Sequence, residues 1–300
     1  MQLFKKTNFD FIGKRYYAYA FSGILIGAGL VSLFLKGGPK LGIDFTGGNL
    51  VQLSFKTNVE MKDLRSLLAA SGYADVEIQG ITGRPSYIIR VPKGPSSVDT
   101  LAKDFQKLVA EKIPGSDPSI DRAEFVGPAV GRALADQALS AIAWASICII
   151  VYVGFRFRST LWGVCSIVAV VHDVLSIVGI FSILNKEVTV TVVAGILTLA
   201  GYSINDTIVI YDRMRENLRL SKKETLGELI NRSVNETLSR TIMTSMTVAL
   251  TLLVLFFFGG EVIHDFAFAM LWGVFVGSYS SIFVAAPIIY QWQAKAPSKK

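Results

Sequence analysis

The sequence contains few residues that bind metals or form covalent cross-links. Its 300 residues include two cysteines and two histidines. Cys148 and Cys165 both fall in apolar runs, so they predict neither a disulfide framework nor a CxxC metal site, and they are typical of small apolar core residues. His172 and His264 are too isolated to predict a zinc site. We therefore expect no metal centre.

Motifs of ATP-driven and hydrolytic proteins are also missing. There is no Walker loop, so ATP is not expected to drive this protein directly, and no GxSxG, HExxH or GxGD element is present. An elementary charge crossing 100 mV is worth about 2.3 kcal/mol, which makes the transmembrane proton gradient the energy source that we expect. We expect no cofactor, with protons as the coupling ion.

Apolar residues are abundant, by contrast. Hydrophobic residues make up 51% of the chain and the mean hydropathy is +0.47, which indicates an integral membrane protein. Each apolar run is close to the roughly 20 residues that a bilayer-spanning helix needs. The six predicted transmembrane helices cover residues 16–35, 135–155, 160–184, 187–211, 241–259 and 266–291.

The placement of basic residues predicts the orientation. The net charge is +7, and the loops between runs two and three and between runs four and five are basic, whereas the opposite loops are short and poor in basic residues. The positive-inside rule then places both termini in the cytoplasm, and a nucleic-acid partner is not expected. The first run has no cleavage site after it and reads as a retained anchor. The basic residues include Lys5, Lys6, Lys14, Arg15, Arg156, Arg158, Arg213, Arg215, Arg219, Lys222, Lys223, Arg232, Lys295, Lys299 and Lys300.

A polar segment, residues 36–133, separates the first two runs and is predicted to lie outside the cytoplasm. Alternation over 49–55 predicts a strand, followed by a helix over 59–71, strands over 76–81 and 87–91, a helix over 98–113 and a strand over 120–126. This order is βαββαβ, the ferredoxin-like α+β fold. The residues expected on the inner faces of the two helices are Met61, Leu64, Leu67 and Leu68, and Leu101, Phe105, Leu108 and Val109.

The fold class is thus a polytopic α-helical membrane protein with an extracytoplasmic α+β domain between helices 1 and 2. We expect a cytoplasmic N-terminus over 1–15, transmembrane helix 1 over 16–35, a five-helix bundle over 134–292 and a cytoplasmic tail over 293–300. The basic cytoplasmic loop 212–239 is either one or two amphipathic helices along the membrane surface or a simply solvated segment.

One carboxylate, Asp206, lies within the fourth apolar run. Burying it costs about 2.5–3.5 kcal/mol on insertion scales, which makes it a functional candidate. Gly201 and Asn205 form the ridge beside it on a helix, where Gly201 permits close helix approach and Asn205 offers a hydrogen bond to a neighbour. The alternative is a purely structural role, in which the Asp206 carboxylate is permanently paired with an arginine.

Asp173, with His172 beside it, is a second ionisable site in run three. The two side chains point about 100° apart on a helix, and Asp173 is the one expected to face the interior, in line with Ser176. A buried histidine is more often a hydrogen-bonded structural residue than a proton relay.

The fifth run opens with an arginine above a row of hydroxyl groups. Arg240, Thr244, Thr247 and Thr251 recur at helical spacing. An arginine at a membrane boundary usually snorkels to the surface, but the hydroxyls below it suggest a hydrated path toward Asp206. The small-xxx-small motifs Gly23–Gly27 and Gly273–Gly277 predict close helix packing.

Four segments resemble the SecF family, the smaller subunits of bacterial SecDF protein-export complexes within the resistance-nodulation-division superfamily. They cover the anchor junction, the end of the outside domain, run four and the start of run five, and the resemblance extends over almost the entire chain. The segments are LGIDFTGG (41–48), FVGPAVG (125–131), GYSINDTIVIYDRMREN (201–217) and SRTIMTS (239–245).

The resemblance implies an accessory subunit of the Sec translocase that uses the proton motive force to promote late-stage export across the bacterial cytoplasmic membrane. It implies SecD as an obligate partner, the SecYEG channel and other accessory membrane subunits as neighbours, and a translocating preprotein as cargo. Asp206 would carry the proton and Arg240 would be its charged partner.

The resemblance also assigns lesser roles. Asn205 and Thr241 would support the proton-carrying pair, and Asp173 is a weaker transfer. Gly47 and Gly48 suit a sharp turn after helix 1, and Asp44 is expected to be a turn or cap residue rather than a proton site.

Other functions remain open at this stage. One is half of a proton-driven small-molecule or lipid exporter of the same superfamily. Another is an intramembrane aspartyl protease using Asp173 and Asp206, although an adjacent arginine would keep one acid ionised when it must be protonated. A third is an assembly factor in which Asp206 only joins helices. The chain is not expected to be an enzyme.

Overall fold

The structure, a computed structural model, describes residues 7–81, 85–92, 97–157, 160–220 and 224–295. It consists of two compact units, one formed by residues up to Lys40 together with those from Leu139 onward, and the other by Leu41–Ala138. Six helices in the described ranges are long and apolar enough to cross a membrane. The expectation of a polytopic helical protein with a small sheet region is confirmed.

The long helices follow the apolar runs closely at most ends. They are α1 (Arg15–Lys36), α5 (Pro128–Phe157), α6 (Thr160–Ile183), α7 (Val190–Leu220), α8 (Leu226–Phe258) and α9 (Glu261–Ser280). After α9, a π-helical segment (Ser281–Ala285) leads into α10 (Ala286–Lys295) without a break. A π-helical turn is rare and often marks a functional position, because it rotates the side chains on either side of it.

The smaller unit contains one sheet and two main helices. After the short helix α2 (Ile43–Thr46), its elements are β1 (Gly48–Ser54), α3 (Met61–Ala70), β2 (Glu77–Gly80), β3 (Ser86–Val91), α4 (Val98–Lys112) and β4 (Ser119–Val126). The strand order is β2-β3-β1-β4 and each neighbouring pair is antiparallel. Because β1 is central, Val51 and Leu53 are fully buried in it.

The core of this unit lies between the sheet and α3 and α4. Leu64 and Leu68 of α3 are fully buried, as are Leu101, Phe105 and Val109 of α4. Met61, which we expected on the inner face, begins α3 and is more than a third exposed.

The helical unit differs from expectation between α7 and α8. Residues 212–220 continue α7 and residues 226–239 belong to α8, so this stretch contains no separate surface helix in its described part. The two helix ends contact each other: Arg213 forms an ion pair with Glu236 (2.6 Å), and the Asn217 amide donates to Ser233 (2.9 Å). A capping box of Thr225 and Glu228 fixes the start of α8.

The segment before α1 is bound along α8. The Asn231 Oδ1 accepts the N–H groups of Phe11 (3.0 Å) and Ile12 (2.9 Å), while Asn235 both accepts from and donates to the Phe9 backbone at 2.9 Å. Hydrogen bonds from the Gly13 N–H and the Asn231 amide lower the pKa of Asp10. Seven of the basic residues used for orientation, Lys5, Lys6, Arg158, Lys222, Lys223, Lys299 and Lys300, lie outside the described residues.

Helices α1 and α6 touch through their backbones. A Cβ built on Gly29 would lie 2.7 Å from the Gly179 Cα, so only glycine permits this crossing. The motif that we expected to pack, Gly23–Gly27, has no atom within 4 Å of either built Cβ in the described structure. Gly273 does lie against a neighbour, Leu199 of α7.

We predict that Gly29→Ala lowers the stability of the helical unit by about 1–3 kcal/mol, the usual cost of overpacking, because its Cβ meets backbone that has no flexible side chain to move away. Thermal unfolding of the purified chain in detergent measures this. Gly23→Ala is the matched control on the same helix, and equal unfolding temperatures for the two variants would contradict the prediction.

Candidate functional site

Helices α7 and α8 carry the residues that the sequence singled out. Asp206 is 3% exposed, and its Oδ2 has no hydrogen-bond partner among the described residues. On the neighbouring helix, Thr241 is 1% exposed, and its hydroxyl likewise has no partner in the described ranges. An unpaired buried polar group costs about 1–3 kcal/mol, and more when it is charged, so this part of the bundle is not optimised for stability alone.

Arg240 is the charged neighbour of this carboxylate. Its side chain is exposed, and it acts electrostatically on Asp206. No ion pair within 4.0 Å joins the two in the part of the chain that the structure describes. A direct salt bridge would favour the ionised carboxylate permanently, whereas a separated guanidinium leaves both protonation states accessible.

Gly201 and Asn205 lie on the outer face of α7. Both are exposed, and a Cβ built on Gly201 would meet no atom within 4 Å in the described chain. The close approach that we expected at Gly201 is therefore not made to another helix in the described ranges.

The threonine hydroxyls in the row on α8 form their hydrogen bonds within α8 itself. Thr244 donates to the Arg240 carbonyl (3.1 Å) or the Thr241 carbonyl (3.0 Å), Thr247 donates to Met243, and Thr251 donates to Thr247. Threonine in a helix commonly bonds back to the preceding turn. These contacts occupy the hydroxyl protons within α8 and join none of them to Asp206.

Asp173 lies in a second polar cluster at the centre of the helical unit. It is 1% exposed, and its Oδ2 accepts hydrogen bonds from Ser203 of α7 (2.6 Å) and Ser280 of α9 (2.9 Å). Gly277 lets Ser203 come this close, because a Cβ there would lie 3.1 Å from the Ser203 Cβ. Asp173 therefore joins α6 to two other helices.

His172 is buried as well, although we expected only Asp173 to face the interior. It is 5% exposed, with Nε2 3.0 Å from the Ser22 Oγ of α1 and Nδ1 3.0 Å from the Asp173 Oδ1. The two residues do point in different directions, but α6 packs against α1 as well as against α7 and α9, so both directions are interior.

Sequence reasoning missed the serines at the π-helical segment. Ser280 contacts Asp173, and the Ser281 Oγ lies 2.8 Å from the Thr207 Oγ1. Neither serine stood out, because serine is common in membrane helices and no local pattern predicts a π-helical turn. Ser176, by contrast, was expected in this interior, and it accepts the Trp272 indole N–H at 2.9 Å.

The turn before β1 has the positive φ angles that Gly47 and Gly48 predicted. Gly47 and Gly48 have φ values of 72° and 117°, in the region that favours glycine, and Asp44 lies in the first turn of α2. A Cβ on Gly47 would lie 3.0 Å from the Pro128 Cα. The turn thus needs glycine both for its conformation and for space.

Two protein-family models match this chain, one over the helices that carry Asp173 and Asp206 and one over the turn before β1. Residues 106–295 match the family described as "Protein export membrane protein SecD/SecF, C-terminal", and residues 31–59 match the "SecD/SecF GG Motif". The first match spans α7, α8 and the cluster around Asp173, and the second contains Gly47 and Gly48.

The chain belongs to the SecF family. It is 41% identical to protein translocase subunit SecF of Endomicrobium trichonymphae, covering 98% of this chain and 94% of that protein. It is also 41% identical to protein translocase subunit SecF of Thermodesulfovibrio yellowstonii, covering 96% of both chains. The family resemblance inferred from the sequence is confirmed.

Solved structures agree with this assignment. The crystal structure of SecDF, a translocon-associated membrane protein from Thermus thermophilus, superposes with a TM-score of 0.86 at 38% identity over 96% of this chain. A structure of SecDF in its super-membrane-facing form gives a TM-score of 0.71. This chain spans 39% of the first SecDF chain, so the SecF family corresponds to less than half of the fused protein.

We predict that Gly47→Ala destabilises the turn before β1, because the residue must adopt a positive φ and its Cβ meets the Pro128 backbone. The backbone conformation costs about 1–3 kcal/mol, and the overpacking costs about 1–3 kcal/mol. Amide hydrogen exchange of the full chain should become faster in β1 and β4.

Gly72→Ala is the control, since Gly72 has a φ of 93° but open space around its Cβ in the described structure. It should show the conformational cost alone. Equal exchange in the two variants would argue that the contact with Pro128 has no effect.

Proposed function

We propose that this protein is an accessory subunit of the Sec preprotein translocase that converts the proton motive force into late-stage export, together with a SecD partner. One observation carries the proposal. Asp206 is a carboxylate buried within a membrane-spanning helix, its Oδ2 has no hydrogen-bond partner among the described residues, and Arg240 acts on it without a direct ion pair. Buried acids that alternately bind and release protons are a common coupling device in membrane transport.

Asp206 is the proton carrier in this proposal, and Arg240 is the charge that responds to it. When the carboxylate is ionised, the guanidinium is attracted to it, and protonation removes that attraction. The polar groups of Asn205, Thr241 and Thr244 lie within one helical turn of these two residues and support them. We assign Asp173 a supporting role in proton coupling within the same helical unit.

The outer face of α7 supports the SecD partnership. Gly201 and Asn205 are exposed there, and Thr198 continues the row one turn away. Small and polar side chains suit the close packing of another helix better than they suit lipid. The fused SecDF of Thermus thermophilus, of which this chain covers 40%, carries more chain than the SecF-like part, and we propose that a separate SecD supplies the equivalent here.

Location and neighbours follow from the same proposal. The protein would lie in the bacterial cytoplasmic membrane with both termini in the cytoplasm, beside the SecYEG channel and other accessory membrane subunits. The strand order β2-β3-β1-β4 supports our proposal that the smaller unit is a ferredoxin-like domain, which we place on the extracytoplasmic side, where it would hold the emerging preprotein. No cofactor is needed, because protons are the coupling ion.

The alternative functions have less support. An aspartyl protease needs two acids that share one proton, whereas Asp173 is bonded to His172, Ser203 and Ser280 rather than to Asp206. The relatives from Endomicrobium and Thermodesulfovibrio are protein translocase subunits, which favours export of proteins over export of small molecules or lipids.

We predict that Asp206→Asn abolishes gradient-dependent export and proton flux while leaving assembly with SecD intact. The amide has nearly the same shape but does not titrate at physiological pH. The measurement is proton flux through the purified complex in proteoliposomes, with and without an imposed gradient.

Asp212→Asn is the matched control. Asp212 is on the same helix and forms an ion pair with Arg156 (2.6 Å), so its loss should leave flux unchanged. Normal flux in Asp206→Asn would refute proton coupling at this residue. Failure of the variant to bind SecD would instead support an assembly role.

A further inference from the structure

A continuous row of hydrogen bonds runs from α1 to Asp173. The Tyr279 hydroxyl contacts the Ala18 carbonyl (2.7 Å) and the Ser22 Oγ (3.0 Å), and Ser22 in turn contacts the His172 Nε2 (3.0 Å). The last contact joins the His172 Nδ1 to the Asp173 Oδ1 (3.0 Å). Each contact connects groups that are buried or partly buried in the helical unit.

The direction of each bond follows from the first. A carbonyl oxygen accepts only, so the single proton of the Tyr279 hydroxyl points to Ala18. Ser22 must therefore donate its proton to Tyr279. With that proton used, Ser22 accepts from His172, which places a proton on Nε2.

The contact between His172 and Asp173 must then contain a proton of its own. With Nε2 protonated, a neutral imidazole has a lone pair on Nδ1, and an ionised Asp173 has lone pairs on Oδ1. Two lone pairs would repel each other at 3.0 Å. The contact is attractive only if one proton lies between them, either on nitrogen as an imidazolium–carboxylate pair or on oxygen as a neutral pair.

The surroundings favour a pair with no net charge. Asp173 Oδ2 accepts from Ser203 and Ser280, and no arginine or lysine lies within one helical turn of Ser22, Ser203 or Ser280. A net charge in this interior would be costly without a partner. On the helices packed against α6, the titratable residues at or within one helical turn of these contact residues are Tyr19 on α1, Tyr202 and Asp206 on α7 and Tyr279 on α9.

We propose that His172 and Asp173 together form a second proton-binding site, which holds one exchangeable proton between Nδ1 and Oδ1 at the centre of the helical unit. The assignment of the site depends on these contacts alone. Its use in transport rests on the proposed function.

Release of this proton would change how the helices pack. The N–H or O–H bond of the shared proton breaks, the proton passes to a water molecule, and the pair passes from zero net charge to −1. Nδ1 and Oδ1 then repel each other, so Asp173 must move relative to the serines of α7 and α9 that it now contacts. The site therefore links a protonation state to the packing of three helices.

One donor to this site, Ser203, lies close in sequence to the proton carrier that we propose. Ser203, which donates to Asp173, is three residues before Asp206 on α7, and Thr207 contacts Ser281 in the π-helical segment. Movement of Asp173 would thus act on the helical turn that holds Asp206. The two sites would communicate through α7 rather than through direct contact.

Histidine labelling tests the site directly, because the chain has only two histidines. Protein labelled with ¹⁵N-histidine and carrying His264→Gln gives signals from His172 alone. In proteoliposomes, solid-state NMR should show Nε2 protonated throughout and an Nδ1 signal that changes with pH, because the proton shared between Nδ1 and Oδ1 exchanges with solvent.

Asp173→Asn is the matched substitution at the other residue of the His172–Asp173 pair. Its amide donates to Nδ1, so the imidazole should be neutral with an unprotonated Nδ1, and the pH-dependent step should disappear. A wild-type spectrum with Nδ1 protonated and Nε2 unprotonated would overturn the proposal, as would an Nδ1 signal that never changes with pH. The wild-type titration decides the question even if Asp173→Asn fails to fold.

Proton flux tests the use of the site. His172→Gln keeps a donor toward Ser22 but does not titrate, and we expect it to reduce gradient-driven flux by about 100-fold, a typical loss for a positioned proton-transfer group. Unchanged flux in His172→Gln, with flux abolished in Asp206→Asn, would show that the second site takes no part in transport. Unchanged flux in Asp206→Asn would refute the proposed function but leave the NMR assignment intact.

Discussion

Polar groups inside a membrane-spanning bundle must find their partners within protein, because lipid offers none. The two buried aspartates of this chain meet that constraint in opposite ways. Asp173 has contacts on both carboxylate oxygens, to His172 and to serines of α7 and α9. Asp206 leaves Oδ2 without a partner in the described structure. The first arrangement joins helices, and the second leaves a carboxylate free to respond to protonation or to a partner subunit.

Asp173, whose carboxylate oxygens both have hydrogen-bond partners, depends on specific features of the helices around it. Gly277 leaves room for Ser203, and the π-helical turn begins directly after Ser280; both serines donate to the Asp173 carboxylate. Close backbone contact at Gly29 and Gly179 holds α1 against α6, which keeps Ser22 within reach of His172. Small residues and an irregular helical turn therefore serve one interior cluster.

Much of the fold could be predicted from hydrophobic patterns, because burial produces those patterns. Alternation over 49–55 marks β1, which spans Gly48–Ser54, and the apolar runs mark the six long helices. The extension of α7 over residues 212–220 and of α8 over residues 226–239 was missed, since the polar pairs that stabilise it, such as Arg213–Glu236, do not contribute to an apolar run. Packing at Gly29 rather than Gly23–Gly27 was also missed, because sequence does not say which face of a helix meets a neighbour.

For the candidate sites too, some residues could be predicted from the sequence and others only from the packing of the helices. Asp206 and Asp173 could be found because a charge in an apolar run is conspicuous whatever surrounds it. The serines and Tyr279 that complete the Asp173 cluster could not, because their role depends on three helices coming together and on the direction of single hydrogen bonds. A buried acid is thus visible in the sequence, but whether it is a structural link or a titrating group depends on partners that only the fold reveals. For Asp206, part of that answer would come from the SecD partner that we propose against the exposed Gly201 and Asn205 of the same helix.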